Sequence, residues 1–313
     1  MGTPEFAVET LKALVENNYN VVAVVTQPDK PVGRHQTEMQ PSQVKQYAVA
    51  HGLPVLQPEK MKDPEFVEQL RSYNANLQVV VAFRMLPEVV WAMPEYGTFN
   101  VHAALLPQYR GAAPINWAVI NDETQTGVIT FFLDHDIDTG RIILKKTFDI
   151  PDEADVEYVY DGLMHLGAEI CLETLEAIVA ANGHPDSIPQ DSVLDGSAIK
   201  PAPKIFKETC EIDWQKTAKQ VYDFVRGLSP YPGAWTTLVA PDGKETVLKI
   251  YKTRKTGKPG KGIGTIAIEG KALCVSAADE QLEIVELQLA GKKRMMARDF
   301  LNGMKQIEDY RVK

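Results

Sequence analysis

Asn100 and His102 stand two residues apart in the run Gly-Thr-Phe-Asn-Val-His at residues 97–102. That run reads as a strand. Side chains alternate along a strand, so the two polar groups share one face. Leu105-Leu106-Pro107 and a Tyr109-Arg110-Gly111 turn follow. The pair therefore sits at the carboxyl end of its strand, where open α/β sheets place ligands. An asparagine amide donates to a developing oxyanion, and a histidine takes or gives a proton near neutral pH. Asp138 lies in a polar turn after a strand expected at residues 128–133, and it suits the role of orienting His102 and balancing its charge. Asn, His and Asp, with no serine or cysteine nucleophile in the set, suggest direct acyl transfer to an amine. The plainer readings are a core histidine satisfied by backbone and one charge of an acidic loop, since Asp134 and Asp136 flank the position. The spacing and the turn after His102 favour chemistry. His135, between aspartates, reads as exposed.

The elements that position these groups follow from periodicity. Thr3-Pro4 reads as an N-cap with proline at the first helical position, and Ala7, Leu11, Leu14 and Val15 repeat at helical spacing. Residues 19–26 are β-branched and apolar, as in a buried parallel strand. Helices are expected at 41–51 and 63–73, a short strand near 54–56 and a buried strand at 77–82. This alternation continues to about residue 121 and argues for an α/β fold with a doubly wound, mostly parallel sheet. Two strands, 127–133 and 140–148, flank the Asp138 turn. Residues 155–180 form an amphipathic helix with Val156, Val159, Leu163, Leu166, Ile170, Ala177 and Ile178 on one face, and Thr174 interrupts that face.

The organisation then changes. Residues 182–203 hold four prolines and no periodicity and read as a linker between a domain at 1–181 and one at 204–313. Beyond it come a helix at 217–228 and short strands near 234–239, 246–252, 263–267, 272–276 and 282–289, a pattern that suits a small β-barrel. Three scattered cysteines, Cys171, Cys210 and Cys274, form neither a metal knuckle nor a disulfide framework, so no metal is expected. No apolar run approaches a membrane span, and a reducing cytoplasm is the expected setting. The net charge of −9 is uneven. Residues 200–313 carry 21 Lys+Arg against 14 Asp+Glu, and residues 1–199 carry 12 against 28. A basic tail domain on an acidic body suits an anionic partner. Lys252, Arg254 and Lys255, and the run Lys292-Lys293-Arg294, offer phosphate contacts.

Several of these motifs carry a resemblance. Asn-x-His-x-x-Leu-Leu-Pro, Arg-Gly-Ala-Ala-Pro at 110–114, Thr-Gly-Val at 126–128 and Ile-Asp-Thr-Gly at 137–140 resemble formyltransferases that use 10-formyltetrahydrofolate. Gly-Thr-Pro-Glu-Phe-Ala at 2–7 and Gln-Pro-Asp-Lys-Pro-Val-Gly-Arg at 27–34 are similar to the methionyl-tRNA branch of that family, and the similarity runs through Ile212-Asp213-Trp214 and Ala290-Gly291-Lys292-Lys293. It covers essentially the whole chain. The resemblance implies a Rossmann-like catalytic domain, an OB-like carboxyl domain that binds tRNA, and 10-formyltetrahydrofolate as co-substrate. Asn100, His102 and Asp138 are then catalytic. Phe83, Arg84, Met85 and Leu86 flank the pterin, with Leu105, Leu106 and Pro107 lining the same pocket. Ala104 stands where serine is common, so a hydroxyl contact there is absent. The 83–86 segment is one residue shorter than the family's usual form and carries over by position only. Residues 28–40 correspond to a loop that meets the tRNA acceptor end, with Arg34 on a phosphate. His35-Gln36-Thr37 replace lysines common there.

The family also places a strand directly before Gly-Thr-Pro, in the middle of the sheet. Here either the start lies downstream of the natural one or the sheet has a gap. The expected partner is methionyl initiator tRNA, with no membrane and no obligate protein partner. A sugar-nucleotide N-formyltransferase is the nearest rival, against which the basic carboxyl domain and the 28–40 loop count. A glycinamide ribonucleotide formyltransferase lacks the second domain. A nucleotide-binding dehydrogenase wants a Gly-x-Gly-x-x-Gly turn that Gly2-Thr3-Pro4 does not supply. A non-catalytic tRNA-binding protein has no need of Asn100, His102 and Asp138 together.

Overall fold

The computed structural model describes residues 1–32, 38–135, 140–193, 196–304 and 306–313. Asp138 and Arg34 lie outside the described residues. The chain forms two compact units. The first comprises residues 1–110, 125–149 and 160–200, and the second comprises 111–124, 150–159 and 201–313. The segment read as a linker thus divides near residue 200, and two stretches of the amino-terminal part join the second unit.

In the first unit the order is α1 (Glu5–Glu16), β1 (Val24–Val25), β2 (Lys30–Val32), β3 (Glu38–Gln40), α2 (Gln43–Ala50), β4 (Val55–Leu56), α3 (Pro64–Ser72), β5 (Gln78–Val81), α4 (Glu88–Trp91) and β6 (Thr98–His102). After α5 (Pro114–Ile120), which belongs to the second unit, come β7 (Gln125–Phe132), β8 (Ile142–Asp149) and α6 (Val156–Ala180). Local chemistry sets the helix starts. Ser42 accepts from Lys45 N to cap α2, and Asp63 caps α3 ahead of Pro64 at the first turn.

The sheet differs from the single doubly wound one expected. β1 pairs with β4 in parallel, and β5-β6-β7-β8 form a separate four-stranded sheet. Within it β5–β6 is parallel, while β6–β7 and β7–β8 are antiparallel. Among the described residues, Met1 and Gly2 bridge β1 and β5. Gly2 N donates to Val25 O, and Val81 N donates to Met1 O. Beyond them the strands part around a cavity of about 620 Å³, walled by residues that include Val21, Ala23, Leu77, Val79 and Leu11. Beside that gap only the end of the expected strand at 19–26 is paired, with Val24 and Val25 in register with β4 and Thr26 N donating to Leu56 O. The connection from β7 to β8 is nine residues, too short for the crossover of a dozen or more that a parallel return needs, whereas β6 and β7 are antiparallel although α5 lies between them.

Buried side chains on α6 match the expected stripe, including Val159, Leu163 and Ile170. Its polar interruption is satisfied. Thr174 shares a hydrogen bond with Thr130 of β7 at 2.7 Å and donates to Ile170 O.

The second unit is built on α7 (Ala218–Gly227), β9 (Ala234–Val239), β10 (Glu245–Pro259), β11 (Ile266–Glu269), β12 (Ala272–Ser276), β13 (Glu280–Leu289), β14 (Met295–Met296), α8 (Ala297–Gly303) and β15 (Arg311–Val312). The antiparallel order is β11-β12-β13-β10-β9-β15, with β14 on β13. A bridge between Thr265 and Arg311 brings the two ends of that order together, so the sheet curls into a barrel around Leu248, Ile250, Leu273, Leu282, Ile284 and Leu287. A full capping box at Thr217 and Gln220 starts α7. Among the described residues no helix is long and apolar enough to cross a membrane.

Candidate active site

β6 carries the reactive pair as the alternation requires. Phe99 and Val101 are buried on one face, and Thr98, Asn100 and His102 lie on the other. Asn100 is set between Val80 of β5 and Phe131 of β7, and His102 lies opposite Ile129. Thr98 donates to Trp91 O at 2.7 Å and fixes the start of this face. The edge of the His102 ring meets Phe131, with centroids 6.2 Å apart. Leu106, Ile129, Phe131 and Ile142 form an apolar cluster here, against which Leu105, Leu133 and Val193 pack. Such a wall excludes water and strengthens any electrostatic contact made beside it.

The Asn100 Oδ1 is buried and has no hydrogen-bond partner among the described residues. A buried acceptor left unpaired costs about 1–3 kcal/mol, so relative to the described residues this amide oxygen is open to a donor. His102 Nε2 is likewise buried.

The residues expected around a folate are distributed unequally. Ala82 ends β5 with a φ of 46°, a left-handed turn that costs an L residue roughly 1–2 kcal/mol and redirects the chain. Met85 beyond it is 72% exposed, whereas Leu86 packs into the core with Val25, Leu56, Phe66 and Val80. Phe83 and Leu105 are half-buried, and Ala104, Leu106 and Pro107 are buried. Arg84 is committed to the fold. Its guanidinium donates to Glu59 O at 2.8 Å and to Pro58 O, and burial lowers its pKa.

The match to known proteins agrees with this arrangement. Residues 1–175 match the family described as Formyl transferase, and residues 204–305 match its C-terminal domain. This chain belongs to the formyl transferase family. The methionyl-tRNA formyltransferase of Parabacteroides distasonis is 59% identical over 317 aligned residues, covering 100% of this chain and 97% of that protein. Among solved structures, the sugar 3N-formyl transferase WlaRD, crystallised with dTDP and 5-N-formyl-THF, superposes with a TM-score of 0.62 at 17% identity, over 93% of this chain and 97% of that one. HypX from Aquifex aeolicus, in complex with tetrahydrofolic acid, gives 0.56 at 21% identity over 81% of this formyltransferase, which spans 43% of HypX. At these identities the two structures share the fold.

In the second unit of this formyltransferase the expected cationic residues fall on β10 and on the turn between β13 and β14. Lys252 is exposed and lies opposite Glu286. Arg254 pairs with Glu283 at 2.9 Å and Lys255 with Asp152 at 2.6 Å. Arg294 pairs with Glu286 at 2.5 Å and lies 4.1 Å over the Tyr251 ring. Lys292 and Lys293 are exposed. Lys249, at the start of the basic run on β10, faces Trp235 across the β9–β10 pair, and the sequence suggested no role for Arg110 or Gln190. Arg110 heads the Arg-Gly-Ala-Ala-Pro motif, but nothing local points to its partner, because the contact between the two spans 80 residues.

Proposed function

We propose that this formyltransferase moves the formyl group of 10-formyltetrahydrofolate to the amino group of methionine on initiator tRNA. The observation that carries the reading is full-length identity of 59% to a methionyl-tRNA formyltransferase. The site chemistry supports it. The co-substrate supplies an activated formyl carbon. The acceptor amine needs its lone pair aimed at that carbon, and the buried Asn100 Oδ1 accepts one amine N–H and sets the direction. As the amine attacks, Asn100 Nδ2 and His102 donate to the developing oxyanion. Asp138 holds His102 in the useful protonation state, and the proton leaves the amine for the departing nitrogen. Phe83, Met85 and Leu105 flank the pterin, with Leu86, Ala104, Leu106 and Pro107 behind them.

Met-tRNA enters by its acceptor end past Arg34. An OB-like barrel with Lys252, Arg254, Lys255, Lys292, Lys293 and Arg294 on its surface receives the tRNA backbone. A cytoplasmic setting follows from that substrate. No step in this chemistry calls for a metal. The test is a formylation assay that offers charged initiator tRNA, charged elongator tRNA and amino-sugar nucleotides side by side. Turnover confined to charged initiator tRNA is expected, and preference for an amino-sugar nucleotide would replace this reading with the sugar one.

A further inference from the structure

Residues 187–200 carry no regular periodicity, yet in the first unit they are fastened to two turns of the site. Ile188 and Ile142 exchange backbone hydrogen bonds, both at 2.9 Å. Arg141 Nε donates to Ser187 Oγ at 2.9 Å. Tyr109 N donates to Lys200 O, and Lys200 N donates to Gln108 Oε1. Val193 adds to the apolar wall beside His102.

Gln190 lies at the centre of this strap and is only 3% exposed. Its Oε1 accepts from Arg110 Nη2 at 2.6 Å, and its Nε2 donates to Gly140 O at 2.8 Å. Arg110 belongs to the turn that follows His102. Gly140 stands two residues past Asp138 in the sequence, and its backbone packs too closely to admit a side chain. A Cβ there would come within 1.7 Å of Phe132 O. Leu133, five residues before Asp138 in the sequence, is fixed to the strand of Asn100 and His102, because its N donates to Thr98 O at 2.8 Å.

We propose that Gln190 is a positioning residue, tying Gly140, two residues past Asp138 in the sequence, to the turn that follows His102. Glutamine suits the place because the two neighbours make opposite demands. Arg110 requires an acceptor and the Gly140 carbonyl requires a donor. A primary amide provides both, whereas a carboxylate only accepts and methionine does neither. A misplacement near 1 Å at a reacting centre costs up to about 100-fold in rate, so a long-range tie of this kind reads out in turnover.

The inference rests on the proposed role of Asp138, and a double-mutant cycle separates the two. Gln190→Met, Gln190→Glu, Asp138→Asn and the combination of Gln190→Met with Asp138→Asn are assayed with charged initiator tRNA and formyl donor. Arg110→Lys is a second single variant that leaves Gln190 intact. Each is checked for a native circular dichroism spectrum. Both Gln190 variants are expected to lose roughly 10- to 100-fold in kcat, with KM for either substrate within about threefold. Gln190→Glu is no rescue, despite the stronger attraction of a carboxylate to Arg110. In the Asp138→Asn background Gln190→Met is expected to cost little more, because the two act through one turn. Three results overturn the inference alone: a crippled Asp138→Asn beside near-normal Gln190 variants, equal losses from Gln190→Met in both backgrounds, or an effect carried by KM. Normal turnover in Asp138→Asn overturns the reading of Asp138 and this inference with it.

Discussion

At the scale of single residues, the site rests on a one-residue alternation. Asn100 and His102 share a face because Phe99 and Val101 are drawn to the opposite side, where both are buried. That much was legible from spacing alone, since a period of two on a strand admits no other arrangement. The buried, unpaired Oδ1 of Asn100 was not legible, because it depends on what β5 and β7 place around it. The proposed chemistry makes Asn100→Ala and His102→Ala lose about 2.7–4 kcal/mol of transition-state stabilisation, or more, with folding intact. Steady-state rates on purified variants decide the matter. Turnover near the parent value in either variant removes that residue from the mechanism. Removing the unpaired oxygen also relieves a burial cost, so Asn100→Ala is expected to melt no lower than the parent.

Elements are held by interactions of unequal worth, and burial separates them. In the second unit Arg226 on α7 is 6% exposed. It donates to Asp223 at 2.8 Å, to Ala154 O at 3.0 Å and to Asp122 at 3.3 Å. Asp223 is itself 2% exposed, so removing Arg226 strands a buried carboxylate that Lys219 alone then neutralises. Arg226→Ala is expected to cost about 3–5 kcal/mol. Arg254→Ala breaks the exposed pair with Glu283 and is expected to cost less than about 1 kcal/mol. Urea unfolding of both variants checks this contrast, and equal losses would refute it. The gap between β1 and β5 yields another expectation. Four or five β-branched residues joined ahead of Met1 have an apolar slot of about 620 Å³ to enter. Each side chain fully buried there contributes about 1.5–3 kcal/mol, against a backbone ordering cost of about 1–2 kcal/mol per residue. The extended chain is expected to melt several degrees higher, and an unchanged melting point means that the slot does not accept a strand. The helices α2, α3 and α7 were legible because each has its own cap, and α1 and α6 from their period, although α1 starts after Pro4 with no side-chain cap instead of on Thr3. The short α4, α5 and α8, without side-chain caps, were not. The strap at 187–200 was not, because its partners lie in turns remote in sequence. The length of β10 was also missed. The strand expected near 246–252 runs further, since pairing with β13 continues to Pro259 through register shifts.

For the whole molecule the governing fact is the split of charge along the chain, acidic through residue 199 and basic beyond it. The sequence therefore pointed to an anionic partner for the second unit, but not to which cations are available. The ion pairs divide them. Lys255 is held by Asp152 and Arg254 by Glu283, so each already has an anion beside it. Arg294 is shared with Glu286. Lys292 and Lys293 are exposed and make no ion pair among the described residues. Phosphate neutralisation releases counterions, so tRNA affinity is expected to fall steeply with salt. Replacing Lys292 and Lys293 with Ala should flatten the slope of log affinity against log salt by up to about 0.9 for each phosphate left without its lysine. The weakening should be the same for cognate and non-cognate tRNA, because phosphate contacts do not read sequence. Lys255→Ala is expected to flatten the slope less than either lysine change, since its charge is partly balanced by Asp152. Arg34→Ala should lower turnover more than binding, because its loop aligns the acceptor end with His102 in the proposed complex. Affinity measured across a salt series for the parent and these variants decides among these outcomes. A salt-independent affinity would take the basic unit out of tRNA binding. A slope that Lys255 governs instead of Lys292 and Lys293 would mean that the Asp152 pair opens to receive the nucleic acid.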